Sequence, residues 1–317
     1  MRWTLSSPIL CVALNPSIDK RLHVDRLRPG EVQRAMKHES TAGGKGLNVA
    51  RAVAALGAEV SVTGFVGGSN GDWIRNRLKN ADIGQEWIVV AGETRVCLNL
   101  IDDREGTSTE ILETGPLITS CEAAAFRKLW SDLAVPGRWI TLSGSLPRGL
   151  GDVYYADLIA AAQSRGAYVV FDASGAALAH GIASGPHTVK PNEEEFRQWT
   201  GSDPRDIQAI RSLAEELGRK GVRTLIVSFG REGCIAASPD GGLWRSIPPN
   251  VRTVNAVGSG DSFVAGWTVA SASGFALPDA LRLATAVGAA NAMTETTGGV
   301  DRRIVEELLE QVIVERV

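Results

Sequence analysis

Short apolar, β-branched runs alternate along this chain with stretches whose apolar residues return every third or fourth position. The runs Ile9–Leu14, Val60–Phe65, Trp139–Leu142, Tyr168–Phe171, Thr188–Val189, Thr224–Ser228 and Cys234–Ala237 predict strands. Helices are predicted over Leu47–Leu56, Gly71–Ala81, Cys121–Leu133, Val153–Gln163, Glu193–Trp199 and Asp206–Gly218. Further helices are predicted over Ser262–Ser273, Leu277–Met293 and Arg303–Val314. Strands that are apolar throughout and separated by helices imply an α/β fold with a mostly parallel sheet covered on both faces. The opening run through Leu10, with one basic residue and Pro8 in its apolar part, reads as a first strand and not as a signal peptide.

Two stretches break the rhythm. Arg21–Ser40 alternates around the turn Arg28-Pro29-Gly30, and Trp87–Leu112 alternates around Ala91-Gly92-Glu93 and Asp102–Gly106. Alternation with turn chemistry favours antiparallel hairpins. The two excursions are expected to join into one small β-sheet, a discontinuous lid over residues of about 20–40 and 87–113. The alternative is a pair of edge hairpins on the main sheet. The expected organisation is one domain over residues 1–317 with that lid.

Composition narrows the function classes. Net charge is −3, from 33 basic and 36 acidic residues, and no block of like charge stands out. Nothing electrostatic argues for nucleic acid or an anionic membrane as partner, so an anionic substrate must be held by local basic residues. The 4 cysteines and 4 histidines are scattered, with no metal-ligand spacing, which favours structural or buried thiols in a reducing compartment. No apolar run is long enough to span a bilayer, and a cytoplasmic protein is expected.

The candidate chemistry lies at glycine-rich junctions. In Val257-Gly258-Ser259-Gly260-Asp261-Ser262, a β-rich run, Val251–Asn255, leads into a helix. Bare N–H groups at a helix N-terminus favour anions. An acid in that turn is an ordinary cap, or it takes a proton from an alcohol while the amides of Gly258, Ser259 and Gly260 hold the phosphoryl group under attack. Ala42-Gly43-Gly44-Lys45-Gly46-Leu47-Asn48 opens another helix. It is no Walker loop, because Gly46 follows Lys45 where Ser or Thr is needed. Asp19 follows the first strand, where a carboxylate can accept bonds from sugar hydroxyls or merely sit in solvent. Asn192 and Glu195 begin a helix after Lys190-Pro191. They either stabilise that helix or offer hard oxygen ligands that hold Mg²⁺ through water. Ser228–Gly233 is a tight turn between strands, either a plain hairpin or a platform for a nucleotide. Among the basic residues of the excursions (Lys20, Arg21, Arg26, Arg28, Arg34, Arg95), Arg95 is the expected phosphate ligand, since a guanidinium grips phosphate bidentately.

Taken in order, Ala42–Arg51, Leu142-Ser143-Gly144-Ser145-Leu146-Pro147, Val189–Asn192 with Glu195, Val227–Gly230 and Val257–Ser262 resemble the ribokinase-like (PfkB) carbohydrate kinases over nearly the whole chain. Ala13–Asp19, and Thr109-Glu110-Ile111 with Gly115-Pro116, point to the hexose-phosphate branch. That branch includes 1-phosphofructokinase, tagatose-6-phosphate kinase and the minor 6-phosphofructokinase. The resemblance implies a three-layer α/β/α fold with a β-sheet lid, often used for dimerisation, so a homodimer through the lid is expected. It implies ATP-dependent phosphorylation of a sugar-phosphate hydroxyl, with fructose 1-phosphate as first choice and ATP and Mg²⁺ as cofactors.

By the same resemblance Asp261 matches the catalytic base and Gly258, Ser259 and Gly260 the anion hole. Asp19, Gly43, Gly44, Lys45, Asn48, Arg95 and Ser143 match the sugar-phosphate side. Lys190, Asn192, Ser228, Gly230, Gly233 and Asn291 match the ATP side, and Asn192 and Glu195 the Mg²⁺ motif. The chain departs from the pattern at Ser259, where many members carry Ala, and at Cys97, Asn99 and Leu112 on the lid side. Those departures leave the sugar open: a different hexose phosphate, or a less phosphorylated sugar. A kinase of a plain sugar or nucleoside, and a catalytically silent sugar-binding regulator, remain the competing readings. A dinucleotide oxidoreductase is disfavoured, because no strand is followed by Gly-x-Gly-x-x-Gly.

Overall fold

The computed structural model describes residues 5–317. The part of the opening run formed by Met1–Thr4 lies outside the described residues. In chain order, β1 (Ile9–Ala13), β2 (Ser17–Val24) and β3 (Lys37–Gly43) lead into α1 (Lys45–Ala55). Next come β4 (Val60–Gly67), α2 (Gly68–Lys79), β5 (Gly84–Val90), β6 (Arg95–Asp102) and β7 (Thr107–Leu112). The middle of the chain holds α3 (Ser120–Leu133), β8 (Trp139–Ser143), α4 (Tyr154–Ser164), β9 (Tyr168–Asp172) and α5 (Gly175–Ala183). It continues with β10 (Thr188–Val189), α6 (Glu193–Thr200), α7 (Ile207–Gly218), β11 (Thr224–Ser228), β12 (Cys234–Ala237) and β13 (Leu243–Ile247). The last elements are α8 (Ser259–Ala272), α9 (Leu277–Ala292), α10 (Arg302–Leu309) and β14 (Ile313–Arg316).

A 10-stranded sheet in the order β14-β13-β12-β11-β10-β9-β8-β1-β4-β5 forms the middle layer. It is parallel from β11 to β5 and antiparallel from β11 to β14. Successive side chains of β1 divide between the two faces. Ile9, Cys11 and Ala13 enter a core with Leu47 of α1, Ile74 of α2, Trp267 of α8, Leu281 of α9 and Val305 of α10. Leu10 and Val12 enter the other, with Phe126 of α3, Tyr155 of α4, Leu178 of α5, Phe196 of α6 and Ile210 of α7. Both faces of the sheet are therefore dry, which is why its strands read as continuous apolar runs. This is the expected three-layer α/β/α arrangement.

A second, 4-stranded sheet has the order β3-β2-β6-β7. Its hairpins β2–β3 and β6–β7 are antiparallel and join through a parallel β2–β6 pair. The two excursions thus meet, but their limits differ from the expected ones. The first sheet strand begins at Ser17, and residues 87–90 pair with β4 in the large sheet. As an edge strand with one partner, β5 alternates in exposure and so mimics a hairpin strand.

Other expectations fail for physical reasons. Val251–Asn255 forms no strand, because the amides of Val254 and Asn255 bond to the carbonyl of Ala292 at the end of α9. The last helix stops at Leu309, and Ile313–Arg316 pairs with β13 instead of continuing it. Both β13 and the glycine-rich α5 lie in stretches that carried no assignment.

Candidate active site

The parallel strands β1, β8, β9, β10 and β11 present their C-terminal ends to one cleft, where ligands bind in open α/β sheets. The small sheet walls its other side. The cavity measures about 550 Å³. Asp19, Gly44, Lys45, Asn48, Arg95, Ser143, Lys190, Asn192, Ser228, Gly230, Gly258, Gly260 and Asp261 all line it.

Asp261 sits in the first turn of α8, which starts at Ser259 and not at Ser262. Gly258 caps the helix with φ 83°, and a Cβ there would lie 2.6 Å from Thr297 Cγ2, so only glycine fits. The amides of Gly258, Gly260 and Asp261 donate to no protein acceptor; that of Ser259 bonds to the carbonyl of Ala256. No side chain caps this helix, so its N-terminal amides face the cleft with the positive end of the dipole behind them. The Asp261 carboxylate is only 6% exposed and accepts a 2.8 Å bond from Asn48 Nδ2. Burial pushes its pKa up to about 6, helped by Asp172 and opposed by Lys45, Lys190 and the Asn48 bond. The hydroxyl of Ser259 has a purpose: it accepts a 3.1 Å bond from Asn291 Nδ2.

Two ammonium groups that act on this acid are both tied to Asp172. Lys45 Nζ lies 3.2 Å from Asp172 Oδ1, and Lys190 Nζ lies 3.3 Å from Asp172 Oδ2. Burial pushes the Asp172 carboxyl upward, yet the two lysines outweigh it and hold the group below the usual carboxylate range. Asp172 in turn raises Lys45 above the ordinary lysine value. A Cβ placed on Gly260 would lie 3.9 Å from Lys190 Nζ, so this ammonium stands beside the α8 amides.

On the small-sheet side, Asp19 accepts from Ser17 Oγ at 2.5 Å and from the Gly44 amide at 3.4 Å. Burial raises its pKa. A Cβ on Gly43 would fall 2.0 Å from Asp19 Oδ2, so Gly43 exists to admit that carboxylate. Ser143 Oγ is buried without a hydrogen-bond partner and lines the cleft. Arg95 spends three donors on backbone carbonyls: Nε and Nη2 on Asn15 at 3.2 and 2.9 Å, Nη1 on Glu113 at 3.0 Å. Register puts Asp19 beside Cys97 and Cys97 beside Leu112, so these residues share one sheet face. Arg21, Glu39, Asn99 and Glu110 line the cleft from that same face. Arg26 and Arg28 pair instead with Glu105 and Glu31 in solvent.

On the opposite side, Asn192 and Glu195 form a reciprocal capping box at the start of α6. Each donates its backbone N–H to the other's side-chain oxygen at 2.8 Å. Glu195 Oε1 stays uncommitted, so the cap and a metal role are compatible. Among the described residues no cluster of three or more His, Cys, Asp or Glu could hold a metal directly. The donors here are a carboxylate oxygen of Glu195 and the side chain of Asn192, which lines the cleft, and hard oxygens of this kind suit a cation that keeps waters, as Mg²⁺ does. Ser228 pairs across a bridge with Asn192, and Gly230 opens the turn that follows. Gly233 lies under the Ser246 carbonyl, outside the cleft lining. Asn291 is fully buried and shapes the site from behind. Its Nδ2 donates to the Val257 carbonyl and Ser259 Oγ, and its Oδ1 accepts from Ser262 Oγ and the Gly298 amide.

Sequence reasoning missed Asp172, which closes β9, and Thr297, whose loop packs on Gly258. Asp172 carried a findable signal, an acid at the C-terminal end of a buried strand of the large sheet; Asp19, expected in a loop after β1, lies inside β2. Thr297 carried none.

The profile of the pfkB family carbohydrate kinase matches residues 9–301. A provisionally assigned phosphofructokinase from Staphylococcus aureus is 30% identical, with a TM-score of 0.84 over 98% of this chain and 99% of that one. Phosphofructokinase-2 from Escherichia coli, solved with potassium, is 25% identical, with a TM-score of 0.90 over 96% and 98%. A provisionally assigned 1-phosphofructokinase from Thermotoga maritima is 25% identical, with a TM-score of 0.87 over 98% and 100%.

Proposed function

Because the chain belongs to the pfkB family of carbohydrate kinases, we propose that it transfers the γ-phosphoryl group of ATP to a hydroxyl of a hexose phosphate, fructose 1-phosphate being the first choice. One observation carries the reading. A buried carboxylate, Asp261, shares its helix turn with unbonded amides, and it feels the charges of Lys45 and Lys190, both of which pair with Asp172. That is the set phosphoryl transfer needs: a proton acceptor for the attacking alcohol and fixed positive charge for the moving phosphoryl group.

In this account the acceptor hydroxyl lies against Asp261, which takes its proton late in the transfer. With a pKa of about 6 the carboxylate is mostly ionised at neutral pH. The amides of Gly258, Gly260 and Asp261, with Lys190 and Lys45, accept the charge spread over the phosphoryl oxygens. Asp19, Gly43, Gly44, Asn48, Arg95 and Ser143 orient the sugar. Ser228 and Gly230 form the nucleotide side, Gly233 closes their turn from outside the cleft lining, and Asn291 holds the loop that carries the amides. Asn192 and Glu195 would hold Mg²⁺ through water, and the ion supplies charge neutralisation of the nucleotide phosphates. The small sheet serves as a lid that excludes water from the reacting groups.

The similar solved proteins bear the names phosphofructokinase-2 and 1-phosphofructokinase; 6-phosphofructokinase and tagatose-6-phosphate kinase activities are the alternatives. A second reading has its own support. Arg95 has most of its fork engaged, and Glu39 and Glu110 line the cleft. Two carboxylates facing the acceptor favour a less phosphorylated sugar. ADP release should be followed with MgATP and a panel of fructose 1-phosphate, fructose 6-phosphate, tagatose 6-phosphate, fructose, ribose and adenosine. Turnover only with the plain sugars or adenosine rejects the hexose-phosphate reading; binding without any turnover favours a sugar-binding regulator.

A further inference from the structure

Resting on the reading of Asp261 as the proton acceptor, we propose that Arg51 is a positioning residue whose guanidinium fixes which end of the Asn48 carboxamide faces Asp261. Asn48 is 5% exposed and bridges two groups of opposite demand. Its Nδ2 donates to Asp261 Oδ2 at 2.8 Å, and its Oδ1 accepts from Arg51 Nη1 at 3.3 Å. Turned over, the carboxamide would set its oxygen against a carboxylate and its NH₂ against a guanidinium. Both contacts would be repulsive.

Arg51 is itself immobilised. Its Nη1 also donates to the Thr297 carbonyl and its Nη2 to the Ala42 carbonyl. Those partners matter. Thr297 packs on Gly258, the cap of α8, and Ala42 precedes Gly43, which touches Asp19. One planar fork therefore joins α1, the end of β3 and the loop over the α8 cap, and reaches Asp261 through Asn48. A lysine cannot reproduce this, since an ammonium is a point charge without a rigid fork.

The charged groups facing Arg51 are Asp19 on β2, Glu39 on β3 and Asp261 on α8. Those around Asp261 also include Lys45, Asp172 and Lys190. Burial lowers the Arg51 pKa from its ordinary value, but a guanidinium remains charged throughout the working range. Its loss would leave Asn48 free to turn and remove a positive charge from the vicinity of the base.

The test uses Arg51→Met, Arg51→Lys, Asn48→Ala and the double variants, with MgATP and whichever panel acceptor turns over. Arg51→Met should lower kcat by about 10–100-fold, the range expected when a reacting group is slightly misplaced. The acceptor KM should change by less than about threefold, and the acid limb of the pH profile should move upward. The Arg51→Met, Asn48→Ala double variant should turn over within about threefold of Asn48→Ala alone, because the two residues act in series. Arg51→Lys, which keeps the charge and guards against misfolding of the methionine variant, should leave the acid limb in place. It should lose about 3–10-fold in kcat, again not multiplied by Asn48→Ala. Multiplicative losses, or an acid limb unmoved in Arg51→Met, overturn the proposal. Wild-type turnover by Asp261→Asn would instead sink the base assignment, which separates the two failures.

Discussion

Asp261→Asn should make the protein more stable while removing its activity. The carboxyl is buried, and its pKa stands at about 6 against an ordinary value of 3.8. Folding therefore favours the protonated acid. Below the unfolded pKa of about 3.9 the carboxyl is neutral in both states and costs nothing. As pH rises from about 4 to about 6 the unfolded chain ionises first, and stability is lost. Above pH 6 the loss is complete. A shift of about 2 units at about 1.4 kcal/mol each amounts to about 3 kcal/mol. Asparagine keeps an oxygen to accept the Asn48 Nδ2 bond, so that donor stays paired, and its added NH₂ sits at the cleft that residue 261 lines. Apparent Tm by scanning calorimetry, at one scan rate, should rise on the order of 5 °C at pH 7.5. The gain should shrink toward nothing at about pH 4, below most of the titration. An unchanged or lower Tm at pH 7.5, or an equal gain at both pH values, would refute the claim that Asp261 is held ionised at the expense of stability.

The acid limb of kcat/KM should fall near pH 6, since rate is lost as Asp261 takes up a proton. Asp172→Asn should move that limb to lower pH, because Asp172 raises Asp261, and a limb that stays put contradicts the coupling. The same variant should lose up to about 3–5 kcal/mol in urea unfolding at neutral pH, as Lys190 is left buried without its partner. Asn192→Ala and Glu195→Gln should chiefly raise the Mg²⁺ concentration needed for half-maximal rate; unchanged Mg²⁺ titrations in both would remove that role. Asn192→Ala should also lower stability by about 1 kcal/mol through the lost cap, whereas Glu195→Gln keeps an oxygen to accept from the Asn192 amide and should change it little; a thermal melt in the absence of Mg²⁺ reads both separately.

The large sheet was readable because its inner strands are buried on both faces, so Ile9–Ala13 and Tyr168–Phe171 stand out as unbroken apolar runs. Its edges were not. β5 alternates like a hairpin strand, and β13 with its distant partner β14 depends on pairing that no local pattern encodes. The glycine loops announced the site, because Gly43 and Gly258 occupy places where a Cβ would collide. What stayed hidden were partners chosen by folding. Asp172 acquires two lysines from separate elements, and Arg51 acquires carbonyls at Ala42 and Thr297. Arg95 looked like a free phosphate ligand until its bonds to Asn15 and Glu113 appeared.

The central claim is that Asp261 accepts the proton of the sugar hydroxyl while the α8 amides hold the phosphoryl group. The most direct measurement is ADP formation by Asp261→Asn with MgATP and the preferred panel acceptor, alongside acceptor binding by calorimetry. The account predicts a fall in kcat of at least about 10²-fold with acceptor affinity kept within about threefold. Turnover within about tenfold of the unaltered chain, at undiminished affinity, would contradict it.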